Sequence, residues 1–385
     1  MRFFHLADLH IGKSINGYSM IEEQKNAFRQ IVEYIRIEKP TAVLIAGDIY
    51  DRAIPSTDAV QVFDEFLTNL SKEGVHTFIV AGNHDSPERL NFANRILSEM
   101  KLHIAGSFDG QLNSVTLDDE FGTVNFFLLP FVKPIMVKGY YTDREIENYN
   151  DAVKTILEST DLKFNERNVL LAHQFFIMSG NVAERSESEI NIVGGLDEID
   201  AGVLTKFDYV ALGHLHGNQK VGLEHIRYAG SPLKYSFSEC LHNKCVLVVE
   251  VKEKGEVNVS ALPIKPIHDL REIKGEFEEL LVADESVVGN KEDYLRVTLT
   301  DTSEIIDPMN KLRTVFPNAM VLHFENLHTD IDLSGVGATV DRIENTSEYE
   351  LFCQFFIEAT GATMTEDQDN IIRDLLSKEV DDETY

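Results

Sequence analysis

Aspartates, histidines and one asparagine recur in five short motifs of this 385-residue chain: Asp8-Leu9-His10, Gly47-Asp48-Ile49-Tyr50-Asp51-Arg52, Gly82-Asn83-His84-Asp85, Ala172-His173-Gln174 and Gly213-His214-Leu215-His216. These residue types suit a pair of divalent cations. Carboxylates supply charge, imidazoles supply softer nitrogen donors, and one carboxylate must bridge. In extended backbone residues i and i+2 point the same way, so the spacing predicts that Asp8 with His10, and His214 with His216, face one side. Asp48, just past a glycine, is the natural bridge, and Asn83 adds a neutral amide oxygen that limits negative charge. Singly, each motif has an ordinary explanation. An Asp-x-His pair or a lone His173 after a strand is common, and Gly-Asn-His-Asp can be a turn whose last residue caps a helix. The five together, in this order, point to a two-metal centre.

Each motif directly follows a segment with strand character. Residues 3–7, 42–46, 77–81, 169–172 and 209–212 are apolar runs that read as buried strands, while 21–38, 57–71 and 88–100 carry apolar residues at helical spacing. Ser56-Thr57-Asp58 supplies a helix-capping signal. In α/β sheets ligands bind at the carboxyl ends of strands, so all five motifs converge on one rim. Further strands near 124–129, 227–229, 246–251 and 257–262 predict antiparallel additions. The expected fold is therefore α/β, a two-sheet sandwich flanked by helices.

Pro263 and Pro266 interrupt both strand and helix and mark a boundary, giving a first domain over 1–264. Beyond it, 293–299, 305–315 and 319–325 read as strand, helix and strand, a small α+β capping domain within 265–340. In the last segment, 341–385, apolar residues at helical spacing (Phe352, Phe355, Phe356, Ala359, then Ile371, Ile372, Leu375, Leu376) predict a helical hairpin over 347–378. Packing on its own chain and docking to a partner both fit its apolar face and acidic flank.

Composition narrows the function classes. With 43% hydrophobic and 26% charged residues, the chain is expected to fold into two or more soluble domains. Met1-Arg2-Phe3-Phe4-His5 leads to Asp8 without the apolar core of a secretory signal. The longest apolar run, 126–132, is broken by Pro130 and is too short for a bilayer. A cytoplasmic protein with no membrane partner is the expectation. Cys240, Cys245 and Cys353 read as reduced thiols; with His242 between the first two, a turn leading into a strand is favoured over a metal site for want of a fourth ligand. The net charge of −30 counts against a grip on a polyanion. Bound cations offset part of it, and twelve acidic residues against Arg373 and Lys378 sit in 344–385, a solvated or partner-facing tail. No Gly-x-x-x-x-Gly-Lys-Ser/Thr sequence occurs, so any ATP dependence belongs to a partner. His5 reads as a core histidine, and Lys13, Arg52 and Arg89, close behind three motifs, are candidates for contact with a phosphate backbone.

The motif series resembles that of the calcineurin-like metallophosphoesterases. The stretch Tyr228-Ala229-Gly230-Ser231-Pro232-Leu233-Lys234-Tyr235-Ser236-Phe237-Ser238-Glu239, the capping unit and the terminal hairpin narrow the resemblance to the SbcD family of nuclease subunits, over essentially the whole chain. The resemblance implies one metal on Asp8, His10, Asp48 and His216, and the other on Asp48, Asn83, His173 and His214. It makes His84 a stabiliser of the transition state and leaving group, not a ligand. Asp51 stands where archaeal and eukaryotic relatives carry a histidine, so a second substrate-orienting imidazole is missing. Mixed nitrogen and oxygen donors favour two Mn2+ over Mg2+. The implied activity is a double-strand exonuclease and single-strand or hairpin endonuclease in DNA end processing, repair and recombination. Implied partners are DNA, a second copy in a heterotetramer, and an SbcC-type ATPase held by the terminal hairpin, with association to the nucleoid. Two alternatives compete: a small-molecule phosphodiesterase or phosphatase, which suits the acidic charge, and a non-catalytic interaction module, which has no need of a full ligand set and His84.

Overall fold

The structure is a computed structural model that describes residues 1–178, 185–189, 198–303 and 305–325, together with 349, 352, 353, 356, 364, 365, 368, 369 and 371–373. Near-continuous burial marks strands covered on both faces: Arg2–Leu6 (β1), Ala42–Ala46 (β2) and His76–Val80 (β3) are buried at almost every position. They run parallel, Phe3 opposite Ala42 and Ala42 opposite His76, and Leu102–Ala105 (β4) extends the sheet in parallel.

A second sheet forms from Asn113–Asp119 (β5), Gly122–Leu129 (β6), Arg167–His173 (β7), Tyr209–Gly213 (β8), Gln219–Val221 (β9) and Leu223–Tyr228 (β10), in the order β9-β10-β8-β7-β6-β5. Its four inner strands are parallel and its edges antiparallel. The chain then returns to the first sheet: Cys245–Val251 (β11) lies antiparallel to β1, and Val257–Pro263 (β12) antiparallel to β11. The two-sheet sandwich expected from the sequence is what forms.

Aromatic side chains alternate inward from both sheets and fill the space between them. Phe78 stacks on Phe126 at 4.6 Å, and Phe3 meets Phe126 and Tyr209 edge-on at 5.7 Å each. Burying each such ring contributes about 1.5–3 kcal/mol relative to exposure. Helices Ile21–Glu38 (α1) and Thr57–Glu73 (α2) pair through Phe28 stacked on Phe66 at 4.5 Å. Ser56 caps α2 by accepting from Ala59 N. On the second sheet, Ala152, Val153 and Ile156 of Tyr149–Glu158 (α3) join Leu170, Ala172, Val210 and Leu212 in one apolar cluster.

The helix expected over 88–100 is two short pieces, Pro87–Leu90 and Asn94–Glu99. Ala93 between them is left-handed at φ +60°, and the Asn91 side chain is drawn off to Gly106 N at 2.9 Å and Ser107 Oγ at 2.7 Å. These contacts are non-local, so helical spacing alone does not reveal the break.

The chain divides into compact units Met1–Arg271 and Glu272–Tyr385. In the second, Tyr294–Leu299 and Ala319–Phe324 pair in parallel with helix Pro308–Arg313 between them, the expected strand-helix-strand unit. A third strand, Leu270–Gly275, and helix Phe277–Val282 complete it around Phe277, Leu295, Val297, Leu312 and Phe316. The hairpin expected over 347–378 lies for the most part outside the described residues. Among the described residues no helix is long and apolar enough to cross a membrane.

Candidate metal centre

Loops leaving the carboxyl ends of β1, β2, β3, β7 and β8 carry the five motifs to one place. The first two are laced together by backbone: Asp8 N donates to Gly47 O at 3.1 Å, His10 N to Asp48 O at 2.9 Å and Ile11 N to Ile49 O at 2.9 Å. Asp85 ties in the third, its carboxylate accepting from Ile49 N, Tyr50 N and Gly82 N at 3.1, 3.0 and 2.9 Å. Asp85 therefore serves as a clasp between metal-site loops and does not cap the following helix. Burial, then the neighbouring Asp48 charge, raise its pKa to about 6.

Asp8, His10, His214 and Asp48 sit at φ +51°, +43°, +116° and +50°. The extended backbone expected for Asp8-Leu9-His10 and for His214 is thus not what forms. The side chains still converge, but by left-handed turns, a conformation that costs a non-glycine residue about 1–3 kcal/mol and collects at functional sites.

The convergence is tight. Three sets, Asp8 with His10 and His216, His10 with Asp48 and His84, and Asp8 with Asp48 and His173, each have ligand atoms within 4.8 Å of one another. The Asp48 Oδ2 atom is 3.6 Å from His10 Nε2 and 3.4 Å from His173 Nε2. Asn83 Oδ1 lies 3.0 Å from His173 Nε2 and 3.2 Å from His214 Nδ1. His214 N donates to Asp8 Oδ1 at 2.9 Å. His84 stands beside the cluster, its ring centroid 4.8 Å from that of His10 and its backbone N donating to Asp48 Oδ1 at 2.9 Å.

The electrostatics of this set are frustrated without cations. Burial drives the Asp8 carboxyl well above the usual range, with Asp48 adding to it against the pull of His173. Burial also holds His10 well below its usual value and His214 down to about 3, so both imidazoles are neutral lone-pair donors. For Asp48 burial is outweighed by His173, leaving it well below the ordinary carboxylate range, and His173 is raised in turn to about 9 against its own burial.

A sharper test is the pair His10 and His216, whose Nε2 atoms are 3.1 Å apart. His216 Nδ1 faces the acceptor Glu239 Oε1 at 3.2 Å, so its proton sits there and its Nε2 carries a lone pair. His10 Nδ1 is buried without a hydrogen-bond partner. Whichever nitrogen of His10 is protonated, one buried polar atom goes unsatisfied, at a cost of about 1–3 kcal/mol. Two nitrogens bound to one ion at about 2.1 Å lie roughly 3 Å apart, so the residues present fit a shared cation.

His5 is a core residue: it is fully buried between Tyr209 OH at 3.0 Å and Leu212 O at 3.1 Å, and burial lowers its pKa to about 3. Lys13 is brought to the site by an ion pair with Asp51 at 2.9 Å. Arg52 is 84% exposed and 3.7 Å from the same carboxylate, and Arg89 is exposed on its one-turn helix. Sequence reasoning missed the supports. Gln24 donates to His10 O at 2.7 Å, Tyr235 OH bonds Leu9 O, and Ser188, Glu189, Glu239 and Lys244 surround His216. Glu239 ends the stretch that begins at Tyr228 and carries the family resemblance, which was the available signal. Cys245 opens β11, and among the described residues no cysteine joins a metal-capable group.

A sandwich with such a cluster at its strand ends is the scaffold of a metal-dependent phosphoesterase. The family described as calcineurin-like phosphoesterase matches residues 1–218, and the type 5 capsule protein repressor C-terminal domain matches residues 266–360. The SbcD subunit of the nuclease SbcCD from Staphylococcus epidermidis is 32% identical over 380 residues, 98% of each chain, and its Staphylococcus saprophyticus counterpart is 28% identical over 378 residues, again 98% of each. Among solved structures, a dimetal phosphatase from Danio rerio aligns with a TM-score of 0.41 at 14% identity, covering 69% of this chain and 99% of that one. The chain belongs to the calcineurin-like phosphoesterase family and, within it, to the SbcD family, and it is a metal-dependent phosphodiesterase.

Proposed function

We propose that this enzyme is a Mn2+-dependent DNA nuclease that acts with an SbcC-type ATPase on DNA ends, in repair and recombination. The observation that carries the reading is the convergence of Asp8, His10, Asp48, Asn83, His173, His214 and His216, with Asp48 between the His10 and His173 nitrogens at 3.6 and 3.4 Å. In this reading one cation would be held by Asp8, His10, Asp48 and His216 and the other by Asp48, Asn83, His173 and His214, with Asp48 common to both sets. The mixed nitrogen and oxygen donors favour Mn2+ over Mg2+. Cations bound there lower the pKa of water and neutralise charge on the phosphodiester.

The remaining steps belong to side chains. His84 bonds through Nδ1 to Asp51 O at 2.9 Å, which leaves Nε2 to stabilise the leaving oxygen. Lys13, paired with Asp51 at 2.9 Å, and the exposed Arg52 and Arg89 contact backbone phosphates. With a net charge of −30, affinity for DNA comes largely from the cations and from the ATPase partner, which the acidic C-terminal segment 341–385 engages. The assembly is a heterotetramer built on a homodimer of this chain.

The test is cleavage of end-labelled linear and hairpin DNA by the full chain with its ATPase partner and ATP, in Mn2+ and in Mg2+. Cleavage in Mn2+ that greatly exceeds that in Mg2+ is expected. Intact DNA alongside hydrolysis of a small chromogenic diester overturns the reading in favour of a small diester substrate, which the acidic charge would suit.

A further inference from the structure

Glu239 is completely buried at the end of the short helical turn Phe237–Glu239. Its Oε1 accepts from Ser188 Oγ at 2.6 Å and Ser236 Oγ at 3.1 Å, and lies 3.2 Å from His216 Nδ1. Ser188 Oγ is itself 2.7 Å from His216 Nδ1, so the ring proton is shared between hydroxyl and carboxylate. Its Oε2 receives Lys244 Nζ at 2.6 Å and Ser231 Oγ at 3.5 Å. Lys244 also donates to His216 O at 2.9 Å, and Glu189 Oε1 accepts from His216 N at 2.7 Å. Ring, amide and carbonyl of one histidine are all held.

A buried ion pair is a poor device for stability, because desolvation of both charges offsets their attraction. What this one does is directional. A carboxylate behind a histidine fixes which nitrogen is protonated, aims the other lone pair and raises its basicity. Two other candidate ligands are held differently: His173 Nδ1 meets the neutral carbonyl of Ala46 at 2.8 Å, and His10 Nδ1 makes no hydrogen bond, the Asp51 carboxylate standing 3.7 Å from it.

We infer that Glu239, through Ser188 and Lys244, is a positioning residue for His216 and sets the affinity of one of the two cation sites apart from the other. The inference rests on reading His216 as a ligand. It predicts two unequal binding steps, only one of which depends on Glu239.

The experiment is titration of the metal-free full chain with Mn2+, followed by the resonance of free ion, and with Co2+, followed by its ligand-field absorption. Glu239→Gln is expected to weaken one step 10- to 100-fold, to leave the other in place and to change the Co2+ spectrum. Because Glu239→Gln strands the Lys244 charge, the doubly neutral Glu239→Gln/Lys244→Met chain is measured beside it, and the same single-step loss is expected with an unchanged far-ultraviolet spectrum. Both steps unaltered in Glu239→Gln, while His216→Ala loses one, overturns the inference alone. Both steps weakened equally means that the network supports only the fold, and overturns it too. Retention of both steps in His216→Ala overturns the ligand assignment on which it rests.

Discussion

The Nδ1 atom of His84 lies 2.9 Å from the carbonyl oxygen of Asp51. A carbonyl only accepts, so the ring proton is on Nδ1 and the free nitrogen is Nε2. This bond orients a side chain whose own backbone is anchored to the Asp48 carboxylate, so the imidazole is fixed relative to the metal cluster without being needed to fill it. His84→Gln is therefore expected to keep its full complement of Mn2+ while hydrolysis of a chromogenic diester falls by about 10²–10⁴-fold, the usual contribution of a general acid. Metal stoichiometry and kcat measured on one preparation separate the two effects, and loss of metal would remove His84 from this role.

Gly82 has no room for a side chain. A Cβ there would lie 2.1 Å from Asp48 Oδ1 and 2.3 Å from Asp48 N, so Gly82→Ala must push the Asp48 carboxylate or its loop aside. The expected result is a folded chain, by circular dichroism, that no longer binds its full complement of Mn2+ and whose kcat/KM falls by about 10²-fold or more, the scale of an ångström displacement in a site.

At the far edge of the second sheet, Asp119 pairs with Arg167, whose side chain is only 3% exposed. Burial alone would raise the Asp119 pKa, but the Arg167 guanidinium, together with the Met1 ammonium 2.6 Å away, reverses this and holds it well below the usual carboxylate range. A depressed acid contributes stability that is complete above its unfolded value of about 3.9 and is lost as pH falls towards the folded value. Asp119→Asn should cost about 2–3 kcal/mol at pH 7, somewhat under a fully buried pair because Asp119 is partly exposed. Urea melts of both chains should converge as pH drops below 4, and a constant difference between them at all pH values would exclude the ion pair as its source.

The chemistry of the site was legible because it lies in residue types at strand ends. His173, His214, His216 and the Asp48 loop each follow an apolar run that can only be an inner strand, and the direction of those strands fixes the rim they reach. The backbone that delivers them was not. Nothing in an aspartate or histidine announces a positive φ as a glycine does, so Asp8, His10 and His214, all at positive φ, looked extended. Ala93 breaks a helix although alanine favours one, because the competing bonds of Asn91 reach 15 and 16 residues onward. Strand Leu270–Gly275 escaped since its alternation is diluted by Arg271, Glu272 and Lys274, and Glu239 looks like any surface glutamate until His216, 23 residues away, is seen against it.

Asp8 gives the clearest separation of stability from function. It is fully buried, and burial pushes its carboxyl well above the ordinary range, so in the metal-free protein the ionised form is disfavoured. An acid raised on folding stabilises the fold most below its unfolded pKa of about 3.9 and progressively less as pH rises towards the folded value. At pH 7 the metal-free chain bears that cost. Asp8→Asn keeps an acceptor for His214 N, now 2.9 Å from Asp8 Oδ1, and removes the charge. With EDTA present, this variant is expected to unfold at the same temperature as the unchanged chain or higher. With Mn2+ the order inverts: at about 100 times the dissociation constant a bound ion adds about 2.7 kcal/mol, and the variant forfeits most of it. Thermal unfolding of both chains with and without Mn2+ decides the matter. A variant that is less stable than the unchanged chain even in EDTA would mean that the Asp8 charge is already compensated by protein groups, and that the site does not depend on cations for its balance.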